Sequence, residues 1–223
     1  MKRSALVALP WMLLCSMGPT GCAVTAPIQG TTQVTHRDDP ALPGDTLVTV
    51  GPRRLLDLLS ERISSVAPEL KRVDGLRFRD TAFPQGGWRL RDLLETGNRT
   101  RVVRELGVDH LVLVSPLVYT VGEESGFFVP LVAGAQSADH KATLSATVYD
   151  LKSGLALRRI DSAATGKERV YSYVILFSGT TPHVVTPLLD AMVKEIVDTL
   201  GAAKGQGASR IAILAAESQE GEH

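Results

Sequence analysis

The stretch that decides the fold reads ATLSATVYDLKSGLALRRIDSA, from Ala142 to Ala163. Its first nine residues alternate small or apolar side chains with polar ones, as a strand with one buried face does. Gly154 follows the residues LKS and can adopt the left-handed conformation that a tight turn requires. The residues after Gly154 form a second β-prone run. The stretch therefore predicts a β-hairpin within a sheet.

Helices and further strands are predicted on both sides of this hairpin. Apolar residues recur at helical spacing from Pro52 to Pro68, and again from Thr186, the predicted N-cap, to Leu200 before Gly201. The continuous apolar run Leu111–Val114 predicts a central strand, and Pro116 after it predicts a bend.

Shorter patterns complete the predicted order of elements. Gly75–Asp80, GLRFRD, alternates Leu and Phe with Arg and predicts a half-buried strand. Thr100–Leu106 predicts a helix that ends at a left-handed Gly107. Thr46–Val50 and Arg169–Phe177 are further strand candidates. The mixture predicts an α/β (α+β) domain in which helices pack on a small mixed sheet.

The amino terminus has the layout of an export signal. Lys2 and Arg3 precede an apolar run from Ala5 to Met17, and small residues lead into Cys22. The run is too short to span a bilayer, which requires about 20 apolar residues. Gly21-Cys22 resembles the bacterial lipobox, in which the cysteine is acylated and begins the mature chain.

The lipobox resemblance implies a lipid anchor at Cys22. Pro19 stands where the motif favours Leu, and Ala23 is compatible with sorting to the outer membrane. The alternative is a plain signal peptide that is cleaved elsewhere and contains an incidental cysteine. With cleavage before Cys22, the mature domain has no other thiol, because Cys15 is removed with the signal.

Four segments are expected along the chain. Residues 1–21 form the lipoprotein signal peptide, 22–45 a flexible tether, 46–200 the α/β domain, and 201–223 a linker and mostly disordered tail. The tether is rich in Thr, Pro, Gly and Asp and shows no sustained periodicity, which is typical of flexible linkers.

The charge balance argues against nucleic-acid binding. The chain has 24 Lys and Arg against 24 Asp and Glu, and removal of the signal leaves 22 against 24. Residues 52–104 are nevertheless basic, with 12 Lys and Arg against 7 Asp and Glu, whereas 105–223 have 9 against 14. The basic part either contacts anionic lipid or an acidic partner, or consists of solvated helix faces.

Catalytic and metal-binding patterns are missing from the sequence. The five histidines are scattered and no pair has the spacing of a metal site such as HExxH. Neither a GxSxG nucleophile elbow nor a GxxxxGK[ST] phosphate loop is present. We therefore expect no catalytic residue, metal or cofactor.

Two apolar segments are candidate interaction surfaces. Phe127 and Phe128 are adjacent in the Gly-containing segment 123–141, where a regular element does not easily bury both side chains. Tyr171 and Tyr173 begin a second apolar segment. In each case the segment either contacts a membrane or a partner, or folds back and covers the core.

The order of elements resembles the curli-secretion lipoprotein group and its relatives, the lipoprotein activators of penicillin-binding proteins and the TolB amino-terminal domain. The residues that carry the resemblance are Leu106–Asp109 before a buried strand, and Tyr149–Leu151 with Ser153-Gly154 at the hairpin turn. It spans Thr46–Leu200 and departs from the pattern at Ser115-Pro116. The resemblance implies an anticodon-binding-like topology and an accessory role in the envelope.

The sequence therefore predicts a non-enzymatic lipoprotein of the bacterial cell envelope, anchored in the outer membrane and facing the periplasm. It would bind other envelope components, either a partner protein or further copies of itself. The main alternative is a subunit of an oligomeric outer-membrane secretion pore, and a periplasmic hydrolase is a third. A ring of subunits would favour the pore, and turnover without a partner would favour the hydrolase.

Overall fold

The structure is a computed structural model that describes residues 23–27, 31–37, 40–122, 125–129, 133–172, 184–202 and 209–217. Cys22 and Tyr173 therefore lie outside the described residues, as do the predicted signal peptide and residues 203–208 and 218–223 of the predicted tail.

Helices and strands mix along the described chain. The helices are α1 (Arg53–Val66), α2 (Gly75–Ala82), α3 (Leu90–Leu94), α4 (Thr96–Leu106) and α5 (Val185–Ala202). The strands are β1 (Ala23–Pro27), β2 (Thr31–Arg37), β3 (Leu47–Thr49), β4 (Lys71–Arg72), β5 (His110–Val114), β6 (Val118–Val121), β7 (Ser125–Val129), β8 (Ala133–Asp150), β9 (Leu155–Ser172) and β10 (Arg210–Glu217).

All ten described strands belong to one mixed sheet. The central order is β1-β9-β8-β5-β10-β3, with β2 also on β9, β4 on β10, and β6 and β7 on β8. The β5 and β10 pair is parallel, and so is the short pair of β4 and β10, whereas the other pairs are antiparallel. The predicted α/β class with a mixed sheet is confirmed, while the anticodon-binding-like topology stays a prediction.

Two hydrophobic cores lie on opposite faces of the sheet. On one face, α1 and α5 pack on alternate residues of the central strands, among them Leu144, Ile160 and Ile213. The other face carries a second core to which α2, α3 and α4 contribute, built around Phe78 and Tyr149. Because both faces are covered there, the central strands β5 and β10 are buried almost throughout.

The predicted hairpin is confirmed as the pair β8 and β9. Gly154 closes the turn with a positive φ of 78°, and Gly107 ends α4 with a φ of 64°, as expected for left-handed positions. The expected bend after Val114 is also present, because β5 and β6 are separate strands that both pair with β8.

The prediction of a strand at Gly75–Asp80 was wrong, because these residues begin α2. The Asp74 carboxylate accepts a hydrogen bond of 2.9 Å from the backbone N–H of Arg77, which caps the helix. This local cap, together with burial of Phe78, outweighs the alternation of apolar and basic residues. A smaller correction concerns Thr186, which lies inside α5 rather than at its N-cap.

The predicted boundary at Leu200 was also wrong, because β10 (Arg210–Glu217) belongs to the domain. Its six central residues, Ile211–Ala216, are all buried between β5 and β3. A run of six apolar residues cannot leave this position without exposing both cores.

The predicted flexible tether of 22–45 was wrong for two of its parts. β1 and β2 both pair antiparallel with β9, over five and seven residues respectively. Thr, Val and Gln are compatible with strands, and the edge of β9 offers unpaired backbone groups to bind them. The segment Pro40–Asp45 then crosses to β3, and the N–H of Leu42 donates to the Tyr149 hydroxyl at 3.0 Å.

Candidate interaction surfaces

The predicted interaction residues fall at one end of the sheet. Phe127 lies opposite Ala135, which lies opposite Tyr171, which in turn lies opposite Val24. These four residues form one cross-strand row, and Phe128 occupies the next row, opposite Gly134. The backbone thus brings Phe127, Phe128 and Tyr171 into two adjacent rows, and Val24 of the first row lies two residues after Cys22 in the sequence.

This end of the sheet is an extension of the hairpin, which we call the arm. It comprises residues 133–139 of β8 and 167–172 of β9, together with β1 and β7, which pair only with this part. Each hairpin strand has 18 residues, a length of about 60 Å at 3.3 Å per residue. The other parts of both strands carry the core beneath α5.

A second surface is the polar face of β2 and the adjoining part of β9. Val34, Ile160 and Ala164 belong to or contact the core beneath α5, so their neighbours along each strand lie on the opposite face. Those neighbours include Gln33 and Thr35, and they are mostly polar and exposed.

Asp161 is the centre of the ion pairs on this polar face. Its carboxylate lies 2.8 Å from Nε of Arg37 on β2 and 3.5 Å from Nε of Arg159. The Ser145 hydroxyl of β8 also donates to Asp161. The Oγ of Ser115 accepts a hydrogen bond of 2.9 Å from the Ser145 N–H. This network joins β2, β9 and β8 and positions them, but it contains no histidine to act as a base.

A buried histidine lies at the other end of the central strands. Burial lowers the pKa of His110 below 6.5, although the charges of Asp150 and Asp109 oppose the shift. Its Nδ1 has no hydrogen-bond partner among the described residues. Asp109 pairs instead with Lys152 at 2.7 Å, which connects the start of β5 to the hairpin turn.

The Ser153 hydroxyl stabilises the hairpin turn. Burial acts to raise the pKa of Asp150, but bonds from the Ser153 hydroxyl and from the N–H groups of Lys152 and Ser153 hold it below its ordinary value. The Ser153 hydroxyl donates to Asp150 at 2.7 Å and not to His110. A Ser-His-Asp triad would require a Ser–His hydrogen bond, which these residues do not form.

An exposed tryptophan forms a third surface, which the sequence analysis missed. Trp88 ends the loop between α2 and α3 with a positive φ of 44°, after Gly86 and Gly87 at 81° and 98°. Its side chain is 42% exposed, and the Arg79 guanidinium lies 5.0 Å from the ring centroid. The signal available in the sequence was Gly-Gly before a lone aromatic residue, which does not reveal a positive φ at the tryptophan itself.

Metal and membrane-helix features are absent from the part of the chain that the structure describes. No group of three or more His, Cys, Asp or Glu side chains there is arranged to hold a metal ion. Nor is any helix in those ranges both long and apolar enough to span a membrane.

Comparison with known proteins gives no family assignment. No family model matches the chain, and no curated protein sequence matches it significantly. The resemblance to the curli-secretion lipoprotein group therefore stays a prediction.

Proposed function

We propose that this chain is a lipid-anchored accessory protein of the bacterial envelope that acts by binding other envelope components. The observation that carries the proposal is the register of the arm. β1 begins at Ala23, directly after Cys22, and its Val24 pairs with Tyr171 in the row that also contains Phe127. An acyl chain on Cys22 would therefore hold these aromatic residues close to the membrane.

The described polar clusters have structural roles. Asp161 binds arginines and a serine, while Asp150 caps a turn. Each cluster satisfies groups within the fold. The partners in this proposal are a membrane and a protein.

Replacement of the anchor tests the proposal directly. Cys22→Ala should leave the domain folded and release it from membranes during a salt wash, because no acyl chain is attached. Wild-type protein should stay in the membrane fraction, and Cys15→Ala is the matched control. If Cys22→Ala protein remains with the washed membranes while folded, the anchor is wrong.

A second candidate is a subunit of an oligomeric secretion pore in the outer membrane. It is favoured by the arm, because two 18-residue strands continue well beyond the part that carries the core. Native mass spectrometry of detergent-extracted protein distinguishes the two candidates. A ring of many lipidated subunits supports the pore, and a lipidated monomer or small oligomer supports the binding protein.

A further inference from the structure

Two arginines lie directly opposite each other on the polar face of β2 and β9. Arg37 of β2 is the register partner of Arg159 of β9. Partners in an antiparallel pair point their side chains to the same face, with Cβ atoms about 4.5–5.5 Å apart. Like charges in this arrangement destabilise a sheet, so the pair requires an anion beside it. Within the fold, that anion is the carboxylate of Asp161.

Asp161 leaves the outer groups of both arginines unbonded. Its carboxylate approaches Nε of Arg37 and Nε of Arg159, and it also accepts from the Ser145 hydroxyl. Neither arginine forms a further hydrogen bond or ion pair with a described residue. A guanidinium has five N–H donors, four of them on its two terminal nitrogen atoms. Two sets of terminal donors therefore remain available on one face.

This face is open to a ligand. The side chain of Arg37 is 62% exposed and that of Arg159 is 21% exposed. Gln33 and Thr35, which precede Arg37 on the same face of β2, are exposed as well. Among the described helices, α5 packs against β2, and it lies on the opposite face with the core. A ligand can therefore reach both guanidinium groups without any change in the core.

We propose that Arg37 and Arg159 form a binding site for a phosphate group, either inorganic phosphate or a soluble phosphate monoester. Arginine binds oxyanions through two parallel N–H bonds, and its planar fork matches phosphate geometry. A carboxylate has two oxygens, enough for one fork, whereas a phosphate monoester has three free oxygens and can serve two forks. The described charges of the cluster are two positive and one negative, so the ligand adds the second negative charge.

Position favours a soluble phosphate over a lipid headgroup. The proposed anchor at Cys22 adjoins Ala23, which pairs with Ser172 at the end of the arm. Arg159 lies about 13 residues before Ser172 on β9, a separation of about 40 Å at 3.3 Å per residue. This choice of source rests on the proposed anchor, whereas the phosphate chemistry of the site does not.

Calorimetric titration of inorganic phosphate into the full chain tests the site. The protein is extracted in mild detergent and kept at a constant ionic strength of about 0.15 M, so that general screening does not change. The full chain is required because Asp38 and Asp39 follow Arg37 in the sequence and lie outside the described residues. We expect saturable binding of one phosphate per chain, with a Kd of about 1 mM or below.

Three variants locate the binding. Arg37→Gln removes one fork from an exposed position, so it should weaken binding about tenfold or more while the melting temperature stays within about 2 °C of wild type. Arg159→Lys keeps the charge but not the fork and should weaken binding about threefold or more. Arg104→Gln is the matched control, because it removes an exposed arginine charge on α4, and it should leave the Kd unchanged.

Asp161→Asn separates a binding site from a network that serves only the fold. The variant leaves the two arginines without their anion, so added phosphate should raise its melting temperature more than that of the wild type. An equal response of the two proteins would contradict the competition between Asp161 and phosphate. If Asp161→Asn does not fold, the comparison of Arg37→Gln with Arg104→Gln decides alone.

Several results would overturn the phosphate site. They are the absence of saturable binding, a Kd that is unchanged in Arg37→Gln, or an equal loss in Arg104→Gln. A lipid source is tested with Cys22→Ala protein and phosphatidylcholine vesicles that contain about 30% phosphatidylglycerol. Vesicle binding that requires Arg37, without binding of inorganic phosphate, would replace the soluble ligand by a headgroup. Because the anchor is tested by Cys22→Ala and the site by Arg37→Gln, failure of one is distinguishable from failure of the other.

Discussion

β2 and β10 both lie outside the domain predicted from the sequence, and both are strands of its sheet, yet they contribute differently. β10 has partners on both edges and six consecutive buried residues, whereas β2 pairs only with β9 and has no fully buried residue. Full burial of an Ile or Leu side chain contributes about 1.5–3 kcal/mol. The hydrogen bonds of an edge strand do not by themselves decide how stably it is held, because its backbone groups can bond to water instead.

This difference predicts where the domain unfolds locally. β10 supplies side chains to both cores, so the sheet cannot lose it without global unfolding. Ordering the backbone of β2 costs about 1–2 kcal/mol per residue, which its seven register pairs and the contact of Val34 with the core only partly offset. We therefore expect local opening at β2 and global cooperativity at β10.

The largest expected effect is at β10. Leu214→Ala removes a fully buried side chain beneath α2 and should lower the free energy of unfolding by about 2–5 kcal/mol. Urea denaturation followed by circular dichroism measures this change. A loss below about 1 kcal/mol would contradict the central role of β10 and would indicate that this strand is only loosely docked on the sheet.

A pH-dependent effect is expected where β5 faces the start of β10. His110 lies opposite Ile211, and its pKa is lowered mainly by burial. The unfolded chain therefore takes up a proton at a higher pH than the folded chain does, so the contribution of His110 to stability is complete above about pH 6.5 and decreases as the pH falls below it.

The measurement compares urea denaturation at two pH values. Wild type should lose more stability than His110→Gln between pH of about 7.5 and about 5.5. The charged groups that affect His110, namely Asp109, Asp150 and Lys152, are present in both proteins, so the difference between the two losses isolates His110 together with its effect on the pKa of Asp150. Equal losses would show that His110 is not the titrating group.

The smallest expected effect is at β2. Val34→Ala trims the one side chain of this strand that packs on the core, and should cost less than about 1 kcal/mol globally. Hydrogen exchange should nevertheless show faster exchange of the β2 amides, with unchanged rates in β10. An equal acceleration of exchange in β10 and in β2 would remove the contrast between the two strands.

Local chemistry explains which elements were predictable. The hairpin turn at Gly154 and the helix end at Gly107 require left-handed glycines, and both sequences contain them. α2 was mistaken for a strand although its cap, Asp74, is a recognised helix signal. The segment carries two opposing signals, an alternation of apolar and basic residues and a helix cap, and the cap together with the burial of Phe78 decides for the helix.

Long-range pairing explains what was not predictable. RIAILAA follows a Gly-containing linker, and nothing within the segment indicates that it enters between β5, about 100 residues earlier in the chain, and β3, about 170 residues earlier. The docking of β1 and β2 depends in the same way on an available edge of β9. At the candidate site, Phe127, Phe128 and Tyr171 were identified from composition, but their common row depends on register.

The pairing of β1 has a consequence for the geometry of encounter. A flexible tether lets an anchored domain rotate freely, so association with a partner must remove much rotational freedom. With β1 held by five residue pairs, a lipid on Cys22 would be separated from a hydrogen-bonded strand by one peptide bond. The anchored domain would then meet its partner in a narrow set of orientations, with part of the entropy of association already lost before contact.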